Sequence, residues 1–107
     1  MNLLKWNKEF ALEQAADDMD LLLELIEIFK GSFENDLQQL EEGLEENAAD
    51  KICSAAHSIK GAAASLGIEG IREVALAVEE DSRAGNLEVA QSQLPLLKSL
   101  MIELQNI

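Results

Sequence analysis

The sequence predicts an all-α protein, folded as an antiparallel up-down-up-down four-helix bundle with a short N-terminal helix that caps one end. The composition supports a helical fold, because Leu, Ala and Glu are abundant while the 107 residues include no Tyr, one Pro and only 4% aromatics. Leu, Ala and Glu lose little conformational freedom in a helix. Apolar residues recur at spacings of three and four, as amphipathic helices require. Four long helices with short connections pack most simply as such a bundle.

Length and charge restrict the domain organisation and the class of partner. A chain of 107 residues, 48% of them hydrophobic, is large enough for one modest core, so residues 1–107 are predicted to form a single domain. Eight basic and twenty-one acidic residues give a net charge of −13, which repels nucleic acid and anionic membrane surfaces. The single Cys53 excludes an internal disulfide, and with one histidine it cannot complete a structural zinc site.

The first two helices are predicted from their caps and their apolar spacing. Asn7 can cap a short helix that runs to about Ala16, and a second helix follows from Asp18 to about Glu46. Gly31 falls inside this pattern and makes a bend there plausible. We assign Phe10, Phe29 and Phe33 to the core, and we expect Trp6 to hold the short helix on the bundle. The second helix carries Leu22, Ile26, Phe29, Phe33, Leu37, Leu40 and Leu44.

Three further helices complete the predicted bundle. The third runs from about Asp50 to Leu66 and ends where Gly67 can adopt the left-handed conformation. The fourth runs from about Glu69 to Ala84 and stops at the pair Gly85-Asn86. The fifth begins near residue 87 and continues across Pro95 to near the C-terminus, where we expect one kinked helix.

The outer face of the third helix holds the candidate site. At about 100° per residue, the apolar residues of this helix cluster roughly 140° away from His57, so the histidine is predicted to point outward. Cys53, Lys60, Gly61 and Ala64 lie near it in projection. A glycine in mid-helix, such as Gly61, destabilises the helix by about 1 kcal/mol relative to alanine. We expect that the missing side chain lets a second folded protein approach His57.

These residue types suit phosphoryl transfer. A neutral imidazole has a free lone pair that can attack phosphorus without a separate base. Lys60, three residues after His57 on the same face, can hold its ammonium beside the phosphoryl oxygens. A lone surface histidine is more often incidental, and it is the spacing of His57, Lys60 and Gly61 that favours a site.

Residues 56–67, AHSIKGAAASLG, resemble the signature of histidine-containing phosphotransfer (HPt) domains, which is His, two residues, Lys-Gly, two small residues, then an apolar residue and Gly. The resemblance extends over most of the chain. It implies a four-helix bundle in which His57, through Nε2, takes a phosphoryl group from an aspartate of one receiver domain and passes it to another. It also implies that Glu79, on the next helix, hydrogen-bonds the other ring nitrogen.

The resemblance further implies the partners. We expect response-regulator receiver domains and a sensor or hybrid histidine kinase to supply ATP and Mg²⁺, since the chain has no glycine-rich phosphate loop or kinase motif of its own. The protein is then a phosphocarrier without cofactor and not an enzyme, and a monomer suffices. Two alternatives stay open: a non-phosphorylated helical module that docks a receiver domain, and the phosphohistidine module of a kinase, charged directly by an ATP-binding domain.

The sequence shows no signal peptide and no run of about 20 apolar residues. We therefore expect the protein in the cytoplasm, or on the cytoplasmic side of a membrane-anchored hybrid kinase if it is one of its domains.

Overall fold

The computed structural model describes residues 3–107, and over this range the chain is helical, which confirms the predicted fold class. Residues 1 and 2 of the predicted domain lie outside the described residues. The five helices are α1 (Lys8–Gln14), α2 (Met19–Glu45), α3 (Ala49–Ser65), α4 (Glu69–Arg83) and α5 (Glu88–Gln105). Within residues 3–107 the β-type pairing is one isolated antiparallel bridge between Trp6 and Ile68.

The four long helices form a ring in which each packs against two neighbours. Contacts join α2 to α3, α3 to α4, α4 to α5 and α5 back to α2, while α1 packs on α2. Short connections between successive helices make the neighbours antiparallel. The molecule measures 42 × 24 × 19 Å, and its long dimension matches the roughly 40 Å expected for the 27-residue α2.

The helices begin and end close to the predicted cap residues. Side chains at the helix starts accept hydrogen bonds from free backbone amides, and glycines follow the ends of α3 and α4. The Asn7 side chain accepts a hydrogen bond from the Phe10 amide, and Asp18 caps α2 in the same way. Gly67 and Gly85 follow α3 and α4 with φ values of +68° and +90°. A side chain would be strained in this conformation, so both glycines stop their helices as predicted.

The core is built mainly from Leu, Ile and Ala on the inward faces of α2 to α5. Phe29 and Phe33 stack on α2 with ring centroids 5.7 Å apart. The largest fully buried hydrophobic side chains are Phe33, Leu22, Ile26, Leu40, Ile52, Ile59, Ile68, Ile71, Leu97, Leu100 and Leu104. The rings lie at one level of a core made otherwise of aliphatic side chains, which interdigitate closely in such a bundle.

The prediction that Phe10 belongs to the core is wrong, because its side chain is 38% exposed. α1 has seven residues and turns Ala11 inward, so Phe10 is left at the rim, where its ring lies against Gly67. Trp6 holds the N-terminal segment on the bundle as expected. Its indole Nε1 donates a hydrogen bond of 2.9 Å to the Leu66 carbonyl, and the ring is half-buried.

α2 and α5 each continue through a residue that disfavours helix. α2 is one helix across Gly31, and a Cβ at Gly31 would meet nothing within 4 Å. α5 is one helix with Pro95 inside it, so the prediction of a single fifth helix is confirmed.

Candidate functional site

His57 lies in the middle of α3 on the face turned away from the core. Its side chain is 69% exposed, while Ile52, Ala56, Ile59 and Ala63 of the same helix are buried. The apolar spacing of the helix therefore fixes the outward direction of the histidine. Ser58, the next residue, donates a hydrogen bond of 2.7 Å from Oγ to Asp36 on α2 and so ties this face of α3 to its neighbour.

Glu79 is buried in α4 beside His57. Its side chain is 1% exposed, and it holds a core position, four residues after the buried Ala75 and eight after Ile71. A charged side chain is rarely found fully buried unless it is paired. One carboxylate oxygen, Oε2, lies 2.7 Å from His57 Nδ1.

Two cationic side chains approach the same carboxylate from different helices. Lys60 Nζ on α3 lies 2.7 Å from Oε1, and Arg83 Nη2 on α4 lies 2.7 Å from Oε2. Among the described ion pairs of Glu79, the one with Lys60 is the one made through Oε1, so the stabilisation of this oxygen depends on Lys60. Glu79 is thus the centre of a cluster made of His57, Lys60 and Arg83.

This cluster keeps Glu79 ionised. The Lys60 ammonium lowers the pKa of the Glu79 carboxyl below its ordinary value near 4.5, and the contact with His57 adds to the effect. Burial acts in the opposite direction, because desolvation disfavours the charged carboxylate, but the pKa is lowered on balance. Glu79 is therefore a carboxylate at neutral pH.

An ionised Glu79 determines which nitrogen of His57 carries the proton. A carboxylate only accepts hydrogen bonds, so a neutral His57 ring donates from Nδ1 and leaves the lone pair on Nε2. The second nitrogen is then the nucleophilic one, on a ring that is largely exposed. The carboxylate also favours any positive charge that develops on the ring.

An open groove of about 540 Å³ runs beside His57 between α3 and α4. Cys53 lies on its wall, half-buried, with Sγ 3.7 Å from the Glu79 carbonyl oxygen. The residues that line the groove are Ala49, Asp50, Cys53, Ser54, His57, Glu79, Ser82, Arg83 and Gly85.

Gly61 lies one turn after His57 and is exposed. A Cβ at this position would meet nothing within 4 Å, so packing within this chain does not require a glycine. Beyond the site, residues 3–107 contain no cluster of three or more His, Cys, Asp or Glu side chains able to hold a metal ion. No helix in this part of the chain is long and apolar enough to cross a membrane.

The structure thus brings three of the predicted site residues, His57, Lys60 and Glu79, into one cluster, and it places Gly61 beside them. From the sequence, Arg83 could either assist phosphate binding or pair with Glu79 or Glu80, and it was not assigned to the site; the groove was not foreseen. A signal for Arg83 was present, since it follows Glu79 by four residues on one helix, the spacing at which opposite charges meet.

The chain is similar to known proteins in sequence and in fold. The family model of the Hpt domain matches residues 24–107. A solved structure, the HPT domain from a sensor hybrid histidine kinase from Shewanella, superposes with a TM-score of 0.79 at 19% sequence identity, over 98% of this chain and 94% of that chain. A search of curated proteins gave no significant match.

The family match covers most of the chain, so the protein belongs to the Hpt domain family. Its function is histidine phosphotransfer in phosphorelays, and Hpt domains act there as phosphocarriers. Members of the family interact with the receiver domains and kinases of two-component systems.

Proposed function

We propose that His57 is the residue that carries the phosphoryl group, and that it reacts through Nε2. One observation carries this proposal: Nδ1 of a ring that is 69% exposed lies 2.7 Å from a carboxylate that is 1% exposed. Glu79 thus orients the imidazole and stabilises its charge from below, while the reacting nitrogen stays accessible to another protein.

The transfer step balances without a base from this chain. The Nε2 lone pair attacks the phosphorus of an aspartyl phosphate on a receiver domain. The nitrogen–phosphorus bond forms as the bond from phosphorus to the aspartate oxygen breaks, and that electron pair leaves with the aspartate as a carboxylate. The Nδ1 proton remains on the ring, which becomes positively charged, and Glu79 stabilises that charge.

Lys60 and Gly61 are the residues that interact with the phosphoryl group and with the incoming receiver domain. Lys60 is 28% exposed and lies three residues after His57, so its ammonium can stabilise the phosphoryl oxygens on the same face of α3. Gly61 gives the incoming receiver room beside the ring, since the space around its Cα is open within this chain.

The partners supply the remaining chemistry. We propose that receiver domains provide the aspartate and its Mg²⁺, that a histidine kinase provides the phosphoryl group from ATP, and that this chain needs no cofactor and catalyses no reaction on a substrate of its own. The His57, Lys60 and Glu79 side chains come from one chain, so a monomer is sufficient. The proposal includes a cytoplasmic location, where ATP is available to charge the relay.

Labelling tests the role of His57 directly. The folded protein is incubated with a radiolabelled phosphorylated receiver domain, and the wild type is expected to acquire acid-labile, alkali-stable label. The His57→Gln variant should acquire none, because it has no imidazole nitrogen. Label that persists in this variant would exclude His57 as the carrier. A parallel incubation with a kinase domain and ATP distinguishes direct charging by a kinase from transfer out of a receiver.

Two exposed mid-helix glycines allow a matched test of partner access. Gly61 and Gly31 both have open space where a Cβ would stand, but Gly61 follows His57 by four residues on α3, whereas Gly31 lies on α2. Gly61→Gln should slow transfer from the receiver about tenfold, whereas Gly31→Gln should leave it within about twofold, because a side chain beside the imidazole meets the docking receiver. Equal rates in the two variants would contradict the role given to Gly61.

A further inference from the structure

The Glu79 carboxylate has its two cationic side chains on different oxygens. Lys60 Nζ approaches Oε1, while Arg83 Nη2 and His57 Nδ1 share Oε2, each at 2.7 Å. Lys60 is therefore the group that stabilises Oε1. The same ammonium is the group that the proposed function assigns to the phosphoryl oxygens.

These two duties of Lys60 conflict. When the ammonium turns toward a phosphoryl group on Nε2, Oε1 of a side chain that is 1% exposed loses its nearest cation. Leaving a buried charge without its partner is strongly unfavourable. The positive charge that develops on the His57 ring faces Oε2, but it comes with a phosphoryl group of opposite charge. Lys60 therefore leaves Glu79 more readily if a permanent positive charge also stays on the carboxylate.

We infer that Arg83 is a positioning residue: it holds the charge of Glu79 while Lys60 turns from the carboxylate to the phosphoryl group on His57. This inference rests on the proposed function. Arg83 follows Glu79 by four residues on α4, so the pair persists whatever happens on α3. A guanidinium also stays charged at every working pH, which suits a permanent counter-charge.

The exposure of Arg83 does not weaken this role. Arg83 is 65% exposed, and ion pairs between two exposed side chains contribute little. Here, however, the partner carboxylate is buried. When Arg83 is removed, Lys60 and His57 are the groups that still compensate the negative charge of Glu79. Lys60 is then held on Oε1, and the phosphoryl group loses its cation.

A different role for Arg83 must be separated from this one. Arg83 lines the groove beside His57, so it could instead contact the phosphoryl group or the receiver directly. A neutral amide at position 79 distinguishes the two roles, because Glu79→Gln removes the charge that needs compensation. In that background a counter-charge has no further effect, whereas a direct contact keeps its effect.

The experiment measures the initial rate of labelling of folded protein by a radiolabelled phosphorylated receiver domain. The variants are R83Q, R83K and the matched control R72Q, each made in the wild type and in E79Q. Arg72 pairs with an exposed carboxylate on the same helix, with Nε 2.7 Å from Glu69, about 16 Å before Arg83 along α4. Helical circular dichroism establishes the folded concentration of each variant.

We expect R83Q to slow labelling about tenfold, and R83K to stay within about twofold of the wild type because it keeps the positive charge. R72Q should be unchanged. In the E79Q background, adding R83Q should change the rate by less than about twofold, because no carboxylate charge remains.

Three results would overturn the inference. An R83Q rate equal to or above that of the wild type would show that Lys60 is free without Arg83. A tenfold loss that persists in E79Q would assign Arg83 to direct contact with the partner. Failure of R83K to restore the rate would exclude charge as the cause. Absence of label on folded wild-type protein would instead overturn the proposed function, and the inference with it.

Discussion

Two buried charges, Lys30 and Glu79, occupy comparable core positions but have very different surroundings. Lys30 on α2 is 8% exposed, and its ammonium reaches the exposed Glu27 at 3.0 Å and the Ile107 carbonyl at 3.2 Å. Glu79 on α4 is 1% exposed and faces two cations and an imidazole. The Lys30 ammonium thus meets an exposed carboxylate and a backbone carbonyl, while the Glu79 carboxylate stays in the core and is contacted there by three side chains.

The difference between Lys30 and Glu79 shows when a buried charge indicates a functional site. A lysine can bury its methylene stem and leave its head near the surface, so Lys30 needs few partners. A short glutamate stem cannot reach solvent from the core, so the partners of Glu79 must come to it. Two of those partners, His57 and Arg83, are exposed and Lys60 is partly exposed, so the three side chains form a polar patch over the buried Glu79 carboxylate.

The largest effect expected from this comparison is on transfer. Glu79→Leu should slow the labelling of His57 about a hundredfold, because the imidazole loses the acceptor that orients it. Stability should stay within about 1 kcal/mol, since Arg83 is exposed, Lys60 is partly exposed, and no buried charge is left behind. The matched variant Lys30→Met should change neither quantity. Initial labelling rates and urea unfolding measure the two effects, and a variant at position 79 that transfers normally would contradict the comparison.

A smaller effect is expected when a partner is removed and the buried charge is kept. Lys60→Met should lower the free energy of unfolding by about 2 kcal/mol at neutral pH, because Oε1 stays buried without its cation. Lys98 pairs with Glu41 at 3.6 Å between exposed side chains, so Lys98→Met should cost less than about 0.5 kcal/mol. Urea unfolding of both variants measures this contrast, and equal losses would mean that the burial of Glu79 does not strengthen its ion pair.

The smallest effect is a change of stability with pH. The pKa of Glu79 is lowered on folding, so in acid the unfolded state binds more protons than the folded state. The contribution of the carboxylate is fully present above its unfolded value near 4.5 and is lost as pH falls through the folded pKa.

Unfolding free energies of the wild type and Glu79→Gln should therefore differ by a constant amount from neutral pH down to about pH 5. The gap should close at lower pH. Lys30→Met should run parallel to the wild type throughout. A gap that widened in acid would reverse the sign of the pKa shift and contradict the description of the cluster.

Much of the fold follows from local chemistry that can be read in the sequence. Asn7 and Asp18 cap their helices, and Gly67 and Gly85 end theirs, because these residues satisfy or permit local backbone conformations. Phe10 was misplaced since a seven-residue helix has too few turns for its spacing to define an inner face.

The site was predictable only in part. The outward direction of His57 followed from the helical period, and the family resemblance implied the contact between Glu79 and His57. The contact between Glu79 and Lys60 depends on the packing of α3 against α4, which no local pattern contains. A glutamate at the spacing of Ile71 and Ala75 did signal a buried charge. The sharing of Oε2 by His57 and Arg83 was not predictable, because it is decided by distances between side chains.

The anchoring of Trp6 gives the protein an optical reporter of its own. This indole belongs to the single tryptophan of the chain and is bonded to Leu66, about 13 Å along α3 from His57. Its fluorescence emission should therefore change when the N-terminal segment detaches or the bundle unfolds. The emission should change little when a phosphoryl group is added to His57. Fluorescence and labelling can accordingly be recorded on one sample as separate readings of folding and of transfer.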